Sequence, residues 1–201
     1  MICAAALCVS AADEKIMTSK NGLYRYTLDE NNKATIVAYS GTDETVITIS
    51  RIDGKYAVGA IGDSVFAAST TLKEVTIYSS VTKIGAGAFM GCTSLEKINF
   101  HGNCNITEIG DDAFYGCTAL KEFKIAKSIK TIGASAFQNC TSVSLDFSDA
   151  SSLTSIGSYA FAECATASGN KFAVEIPASL TDIGYGAFYG CSGITSFWVE
   201  N

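Results

Sequence analysis

Five cysteine thiols recur along this 201-residue chain at similar intervals, and they are the side chains best suited to chemistry. A thiol can act as a nucleophile, bind a metal ion or form a disulfide. The five are Cys92, Cys117, Cys140, Cys164 and Cys191. Their spacing contains none of the short Cys-x2-4-Cys pairs that zinc sites use, which argues against a metal centre.

The position of these cysteines indicates packing rather than reactivity. Each stands eight residues after an isoleucine, and Ser69 takes the same position in an earlier copy, so any small side chain suits it. Equivalent residues in stacked turns would lie about 4.8 Å apart. Their side chains would run parallel, which keeps the Cβ atoms wider apart than the ~3.8 Å of a disulfide. We therefore predict a column of buried free thiols that behave as small hydrophobes.

Other candidates for catalysis are weak. His101 is the single histidine and follows a predicted strand, where a solvated surface position is the simpler interpretation. It could activate Cys92 or Cys117 only if the fold brought a thiol to the surface. Asp111-Asp112 fills a slot that also holds Ala-Gly and Ser-Tyr, which favours a solvated turn. We expect no catalytic, cofactor-binding or metal-binding residues, and no cofactor.

The cysteines belong to a sequence motif that the chain repeats six times. Each copy reads isoleucine-glycine, two variable residues, a small apolar residue, phenylalanine and, in five copies, cysteine three positions later. The copies begin at Ile61, Ile84, Ile109, Ile132, Ile156 and Ile183. Intervals of 23 to 27 residues are typical of solenoids in which each turn is one supersecondary unit.

Short alternating stretches such as LKEVTI from Leu72 and LKEFKI from Leu120 lie between the copies. Alternation with a period of two is typical of half-buried strands. No segment has the length and periodicity of a long helix, so we predict a β-rich repeat solenoid of parallel strands joined by turns and short helical turns. The predicted core-facing residues of the strands are Val75, Ile77, Ile98, Phe100, Phe123, Ile125, Leu145, Phe147, Val174, Ile176, Phe197 and Val199.

Composition excludes several classes of partner. Apolar residues make up 48% of the chain and charged residues 17%, which is typical of a folded protein. A net charge of -6 without a run of Lys or Arg argues against nucleic acid, which is bound through clustered basic charge. No stretch reaches the roughly 18 to 20 apolar residues that a membrane span needs.

The chain divides into three predicted regions. Residues 1–20 contain an apolar leader that resembles the end of a signal peptide, although a basic n-region is missing. Residues 21–60 contain GLYRYTL and ATIVAYS around a polar turn, which predicts a β-hairpin cap. Residues 61–201 form the solenoid of about six repeats. We expect the apolar edge of the last turn to be exposed unless it is paired, which would permit self-association.

From about Val46 to Val199 the pattern IGxxAFxxCxxLxxI resembles the BspA-like, or Treponema pallidum-type, leucine-rich repeat family. Most copies lack the proline that this family has after the strand, Pro177 being the one present. The resemblance implies a right-handed arc of parallel strands in a secreted or cell-surface protein. Roles in adhesion or protein recognition are described for some members, and it implies no catalytic residues.

Residues that point outward from the predicted strands vary from repeat to repeat and form two columns. Variable positions on a rigid array are suited to a protein-binding strip, in which Trp198 would be an anchor. Ordinary solvated sheet surface is the competing interpretation. The candidate strip comprises Thr76, Asn99, Lys124, Asp146, Glu175 and Trp198 in one column, and Glu74, Lys97 and Glu122 in the other. A carbohydrate- or cell-wall-binding module is the alternative function, and a thiol-dependent enzyme is a third.

Overall fold

A computed structural model describes residues 15–167 and 171–199 of the chain. The predicted leader, through Ala12, lies outside these residues. The strands are β1 (Met17–Thr18), β2 (Tyr24–Leu28), β3 (Ala34–Tyr39), β4 (Val46–Ile49), β5 (Arg51–Ile52), β6 (Tyr56–Ile61), β7 (Glu74–Tyr78), β8 (Lys83–Ile84), β9 (Lys97–His101), β10 (Glu108–Ile109), β11 (Glu122–Lys124), β12 (Thr131–Ile132), β13 (Ser144–Asp146), β14 (Ser155–Ile156), β15 (Phe172–Ile176), β16 (Asp182–Ile183) and β17 (Ile194–Val199). The chain is a β-rich solenoid, as its repeats predict.

Each turn contributes one strand to a continuous sheet and one strand to a second row, which divides into three separate parallel sheets. The short strands β6, β8, β10, β12, β14 and β16 pair in register, so that the isoleucines of the repeat adjoin one another. On the other side, β4, β7 and β9 pair in parallel, as do β11 with β13 and β15 with β17. We call the outward surface of these seven strands the strand face.

The segment after each Ile-Gly pair is a series of hydrogen-bonded turns, and no helix is formed among the described residues. Within one turn the Met90 N–H donates to the Gly87 carbonyl over 2.9 Å. Alternate N–H groups instead reach the next turn, and that of Phe89 donates to the Ala113 carbonyl over 2.8 Å. Short helical turns were predicted here; the backbone divides its hydrogen bonds between its own turn and the next.

A column of phenylalanine rings fills the centre of the solenoid. Neighbouring rings are stacked with centroids 5.0 to 5.5 Å apart and planes within 17° of parallel. The rings belong to Phe66, Phe89, Phe114, Phe137, Phe161 and Phe188. Offset stacking of this kind stabilises the core by roughly 0.5–1.5 kcal/mol per pair beyond burial.

The glycine of the repeat permits close approach between turns. A Cβ on Gly157 would lie 2.4 Å from the Ala134 amide nitrogen, and one on Gly184 would lie 2.2 Å from that of Ser158. Neighbouring backbones could not come so close around a side chain. A side chain at this position would therefore clash with the preceding turn.

The cysteine column is buried as predicted, and each thiol also makes a directed contact. Cys92, Cys117, Cys140 and Cys164 have no exposed surface, whereas Cys191 in the last turn is half-buried. Every Sγ donates to the carbonyl of the phenylalanine one turn earlier, over 2.8 to 3.2 Å. The thiols therefore link successive turns as well as filling space.

Opposite ends of the solenoid differ. At the N-terminal end the antiparallel pair β2–β3 joins the sheet of short strands, because β3 pairs in parallel with β6. The Tyr39 ring packs on Phe66, with centroids 5.1 Å apart. In the last described turn Phe197 and Val199, which were predicted to face the core, are register partners of the buried Val174 and Ile176 but are themselves 52% and 61% exposed. Phe100, also predicted to face the core, is partly buried.

Candidate functional site

Among the described residues, the thiols of the repeat donate to backbone carbonyls, and none of them is hydrogen-bonded to His101. His101 is exposed and stacks on Tyr78, with ring centroids 4.2 Å apart. Burial raises the pKa of Cys92 to about 11 and raises the pKa values of Cys117 and Cys140 further. A buried thiol that stays protonated at neutral pH is a poor nucleophile. The geometry therefore gives no support to a thiol-dependent enzyme.

Aspartates of the variable slot have a structural role. Asp111 is exposed, but its Oδ1 accepts the Ala134 N–H of the next turn over 2.7 Å. Asp63 makes the equivalent bond to Ala86 over 2.8 Å. A solvated turn was predicted here; the structure shows that the carboxylate also ties two turns together. In the part of the chain that the structure describes, no three His, Cys, Asp or Glu side chains are arranged to hold a metal ion.

The residues of the candidate strip lie on the strand face in the predicted columns. Their Cα atoms are register partners across neighbouring strands: Thr76 with Asn99, Glu74 with Lys97, Lys124 with Asp146, and Glu175 with Trp198. Lys97, Glu122, Lys124, Asp146 and Trp198 are exposed, and the others are half-buried. The fold thus brings all nine predicted residues to one surface.

The N-terminal half of the strand face is a chequerboard of charge. Three lysines and three glutamates alternate along and across the strands, around a depression of about 480 Å³. The six are Lys73, Glu74, Glu96, Lys97, Lys121 and Glu122. Lys121 pairs with Glu96, and the Asn99 side chain donates to Glu74. Opposite charges on facing strands stabilise a sheet, and one ion pair, between Lys121 and Glu96, forms within this surface.

The C-terminal half of the strand face has a different character. A hollow of about 350 Å³ lies over β13, β15 and β17. Its polar lining residues are Ser144, Asp146, Ser148 and Glu175, and Trp198 is also among the residues that line it. We call it the Trp198 hollow. It combines an exposed aromatic ring with two carboxylates, a combination suited to recognition.

Two contacts of the strand face were not found from the sequence. Lys124 reaches beyond its strand to Asp149, with 2.6 Å between Nζ and Oδ2. The Ser148 N–H donates to Asp146 Oδ1 over 2.9 Å, an Asx turn that the sequence Asp-Phe-Ser could have indicated. Partial burial opposes ionisation of Asp146, but the hydrogen bonds from Ser148 and the charge of Lys124 outweigh it and lower its pKa.

A second exposed aromatic group lies on the turns of the last two repeats. Tyr185 is 79% exposed and Tyr189 is 65% exposed. The Tyr159 ring meets that of Tyr185 edge to face, with centroids 5.5 Å apart. Tyr115, an earlier residue of the same kind, is instead half-buried and accepts a hydrogen bond from Asn139. Exposed tyrosine is thus confined to one end of the turn surface.

The repeat matches a known family over most of the chain. The model of the BspA type leucine-rich repeat region matches residues 44–168 and 167–201, with six copies. The chain belongs to the BspA-type leucine-rich repeat family. Its members are repeat proteins, and the fold described above is that of the family. A comparison with curated proteins finds none that matches.

Solved structures of leucine-rich repeat proteins share this fold. A leucine rich cell surface protein from Faecalibacterium prausnitzii A2-165 is 28% identical, with a TM-score of 0.66, over 94% of this chain and 56% of that one. The pneumococcal vaccine antigen PcpA is 24% identical, with a TM-score of 0.73, over 94% and 50%. The Treponema pallidum leucine-rich repeat protein is 22% identical, with a TM-score of 0.64, over 92% and 84%. The chain spans about half the length of the first two proteins.

None of the described residues forms a helix that is long and apolar enough to cross a membrane.

Proposed function

We propose that this leucine-rich repeat protein is a non-enzymatic recognition or adhesion module that binds other proteins through the strand face. The observation that supports this most directly is the contrast between core and surface. The core repeats isoleucine, phenylalanine and cysteine in most turns, whereas the outward residues of the strand face differ in charge and size. A rigid array with a variable face supplies the area that protein recognition needs.

Binding to a partner should depend on the strand face and not on the opposite sheet. The test variant changes Lys124, Asp146 and Trp198 to alanine together. Immobilised wild-type and variant chains are compared for capture of purified matrix proteins and of proteins from surface-labelled cells. We expect wild-type capture to be lost in the variant, because the exposed charges and the one large aromatic of the strip are removed.

A matched control changes Lys83, Glu108 and Thr131 to alanine on the sheet of short strands. Lys83 and Glu108 form an ion pair over 2.8 Å, so that removing both leaves no unpaired charge. Circular dichroism establishes that both variants are folded. Capture that persists in the strand-face variant, or that falls equally in both variants, would contradict the proposal.

A carbohydrate- or cell-wall-binding function is the second candidate, and the exposed tyrosines favour it. Tyr159, Tyr185 and Tyr189 present ring faces and edges on which a sugar could stack. A glycan array probed with wild-type chain and with Tyr185→Ala/Tyr189→Ala distinguishes the two. If the wild type binds a glycan, the variant does not, and no protein partner is found, the carbohydrate-binding function would replace the first proposal.

We further propose that the protein acts outside the cell or on its surface. The apolar leader predicted in residues 1–20 and the 28% identical cell surface protein of F. prausnitzii support this location. Fractionation of the source cells, followed by detection with an antibody against the chain, tests this location.

Self-association is a separate proposal. Association of two copies through the exposed Phe197 and Val199 would be seen by light scattering as a mass that rises with concentration.

A further inference from the structure

The two halves of the strand face differ in how their charges are satisfied. In the N-terminal half three lysines alternate with three glutamates, and one ion pair lies within the surface. In the C-terminal half Lys124 forms an ion pair with Asp149, and its charge also acts on Asp146. None of the three ion pairs among the described residues includes Asp146 or Glu175. The Trp198 hollow therefore has two carboxylates without a described ion-pair partner.

We propose that the Trp198 hollow binds an arginine side chain of the partner protein. The proposal rests on the proposed protein-binding function and names the chemistry of the group that the strand face takes. Asp146 and Glu175 supply the counter-charge, and the Trp198 ring supplies a flat surface for the guanidinium group. The Ser144 and Ser148 hydroxyls at the rim can accept further N–H groups.

The position of Trp198 suits this role. Glu175 and Trp198 are register partners on β15 and β17, so their Cα atoms are about one strand spacing apart, ~4.8 Å. Both side chains leave the same side of the sheet, because residues in register share a face. Trp198 is 45% exposed, which leaves part of the indole open to a ligand. A cation that reaches the Glu175 carboxylate would then lie within the roughly 6 Å over which a ring attracts it.

The carboxylates are suited to a forked donor. Asp146 Oδ1 accepts the Ser148 N–H over 2.9 Å, and this bond orients the carboxylate. The lowered pKa of Asp146 keeps it ionised at neutral pH. Arginine offers five N–H donors in a planar arrangement and stacks on aromatic faces, whereas lysine offers a strongly hydrated point charge. The mixture of flat ring and carboxylates therefore favours arginine.

Trp198 is the single tryptophan, so it provides a reporter inside the proposed site. The full chain, labelled with 15N, is titrated with the peptides Gly-Ser-Arg-Ser-Gly and Gly-Ser-Cit-Ser-Gly, where citrulline has the shape of arginine without its charge. We expect the arginine peptide to shift the indole N–H resonance with a Kd of about 1 mM. The citrulline peptide should bind at least about tenfold more weakly. Equal shifts with both peptides, or no shift up to about 20 mM, would overturn the proposal.

The carboxylates are tested with Asp146→Asn/Glu175→Gln, which keeps size and removes charge. Affinity for the arginine peptide should fall at least about tenfold. The control Glu30→Gln/Asp182→Asn removes the same charge at two exposed positions outside the hollow, and its affinity should change less than about twofold at 0.15 M salt. An equal loss in both variants would show only long-range attraction by an acidic protein and would refute the site.

The outcome also separates this inference from the proposed function. If capture of a protein partner is lost in the strand-face variant but is unchanged in Asp146→Asn/Glu175→Gln, the recognition surface stands and the arginine site is wrong. If the arginine peptide binds as expected but no partner depends on the strand face, the site stands and the proposed function is wrong.

Discussion

Replacing Phe137 with alanine removes a ring from the middle of the phenylalanine column. Phe137 has no exposed surface. Its centroid lies 5.0 Å from that of Phe114, 5.5 Å from that of Phe161 and 4.8 Å from that of Phe123. Truncation of a buried phenylalanine costs about 3–5 kcal/mol. Because three ring contacts are lost, we expect a decrease in the free energy of unfolding of at least about 4 kcal/mol.

The matched control is Phe197→Ala, the same change at a ring that is 52% exposed. Its ring meets that of Phe188 alone among the described aromatic pairs, with centroids 5.7 Å apart. We expect the free energy of unfolding to decrease by about 1–2 kcal/mol, because about half of this ring is already in contact with water in the folded state. Urea unfolding is followed by circular dichroism, which reports all strands, and by Trp198 fluorescence, which reports the last turn. If Phe137→Ala lowered the free energy of unfolding by less than about 2 kcal/mol, or if both variants lowered it equally, the phenylalanine column would not be the main source of core stability.

Two further predictions concern the other repeated positions. Gly157→Ala places a Cβ 2.4 Å from the Ala134 amide nitrogen, so the turns must separate, and we expect a loss of about 2–3 kcal/mol by the same urea assay. Gly102→Ala, where a Cβ meets nothing within 4 Å but φ is +76°, should cost about 1 kcal/mol; equal losses would argue against the close-approach explanation. Burial raises the pKa of Cys92 from 9.0 to about 11, so the folded protein keeps a proton that the unfolded chain releases. The protonated thiol therefore contributes its full stability below about pH 9, and this contribution decreases as the pH rises toward 11. Between these pH values the melting temperature of the wild type should decrease more steeply than that of Cys92→Ala. Identical pH profiles would contradict it.

The repeated positions could be predicted from the sequence because a solenoid places like residues on like residues. Once the period is known, the burial of Phe114, Ile132 and Cys140 follows from their place in the motif. The same argument gives the strand-face columns, since residues two apart in a strand leave the same side of the sheet. When the turns stack, residues at the same position of successive repeats become register partners on neighbouring strands.

Contacts that depend on a side-chain conformation or on a linker could not be predicted in this way. The bond from Cys140 Sγ to the Phe114 carbonyl needs a particular χ1 angle, about which a small-residue pattern says nothing. The left-handed backbone at Tyr159, with φ of 56°, lies where other copies have serine, glycine or aspartate, and a tyrosine gives no sign of it. Lys124 meets Asp149 because of the path of a linker whose length differs between repeats.

Different residues of this solenoid serve stability and recognition. The charges of the two halves of the strand face then indicate on which half a partner depends. The phenylalanine, glycine and cysteine columns are internal, so the outward residues can change with small effects on folding. A partner that covers the chequerboard half meets lysines and glutamates in equal number, and it must displace contacts such as that of Lys121 with Glu96. A partner that covers the Trp198 hollow instead supplies charge to Asp146 and Glu175, which take part in none of the described ion pairs, and buries an aromatic ring that is open to water. Most of the binding energy should therefore come from the C-terminal half, with the chequerboard restricting which partners fit.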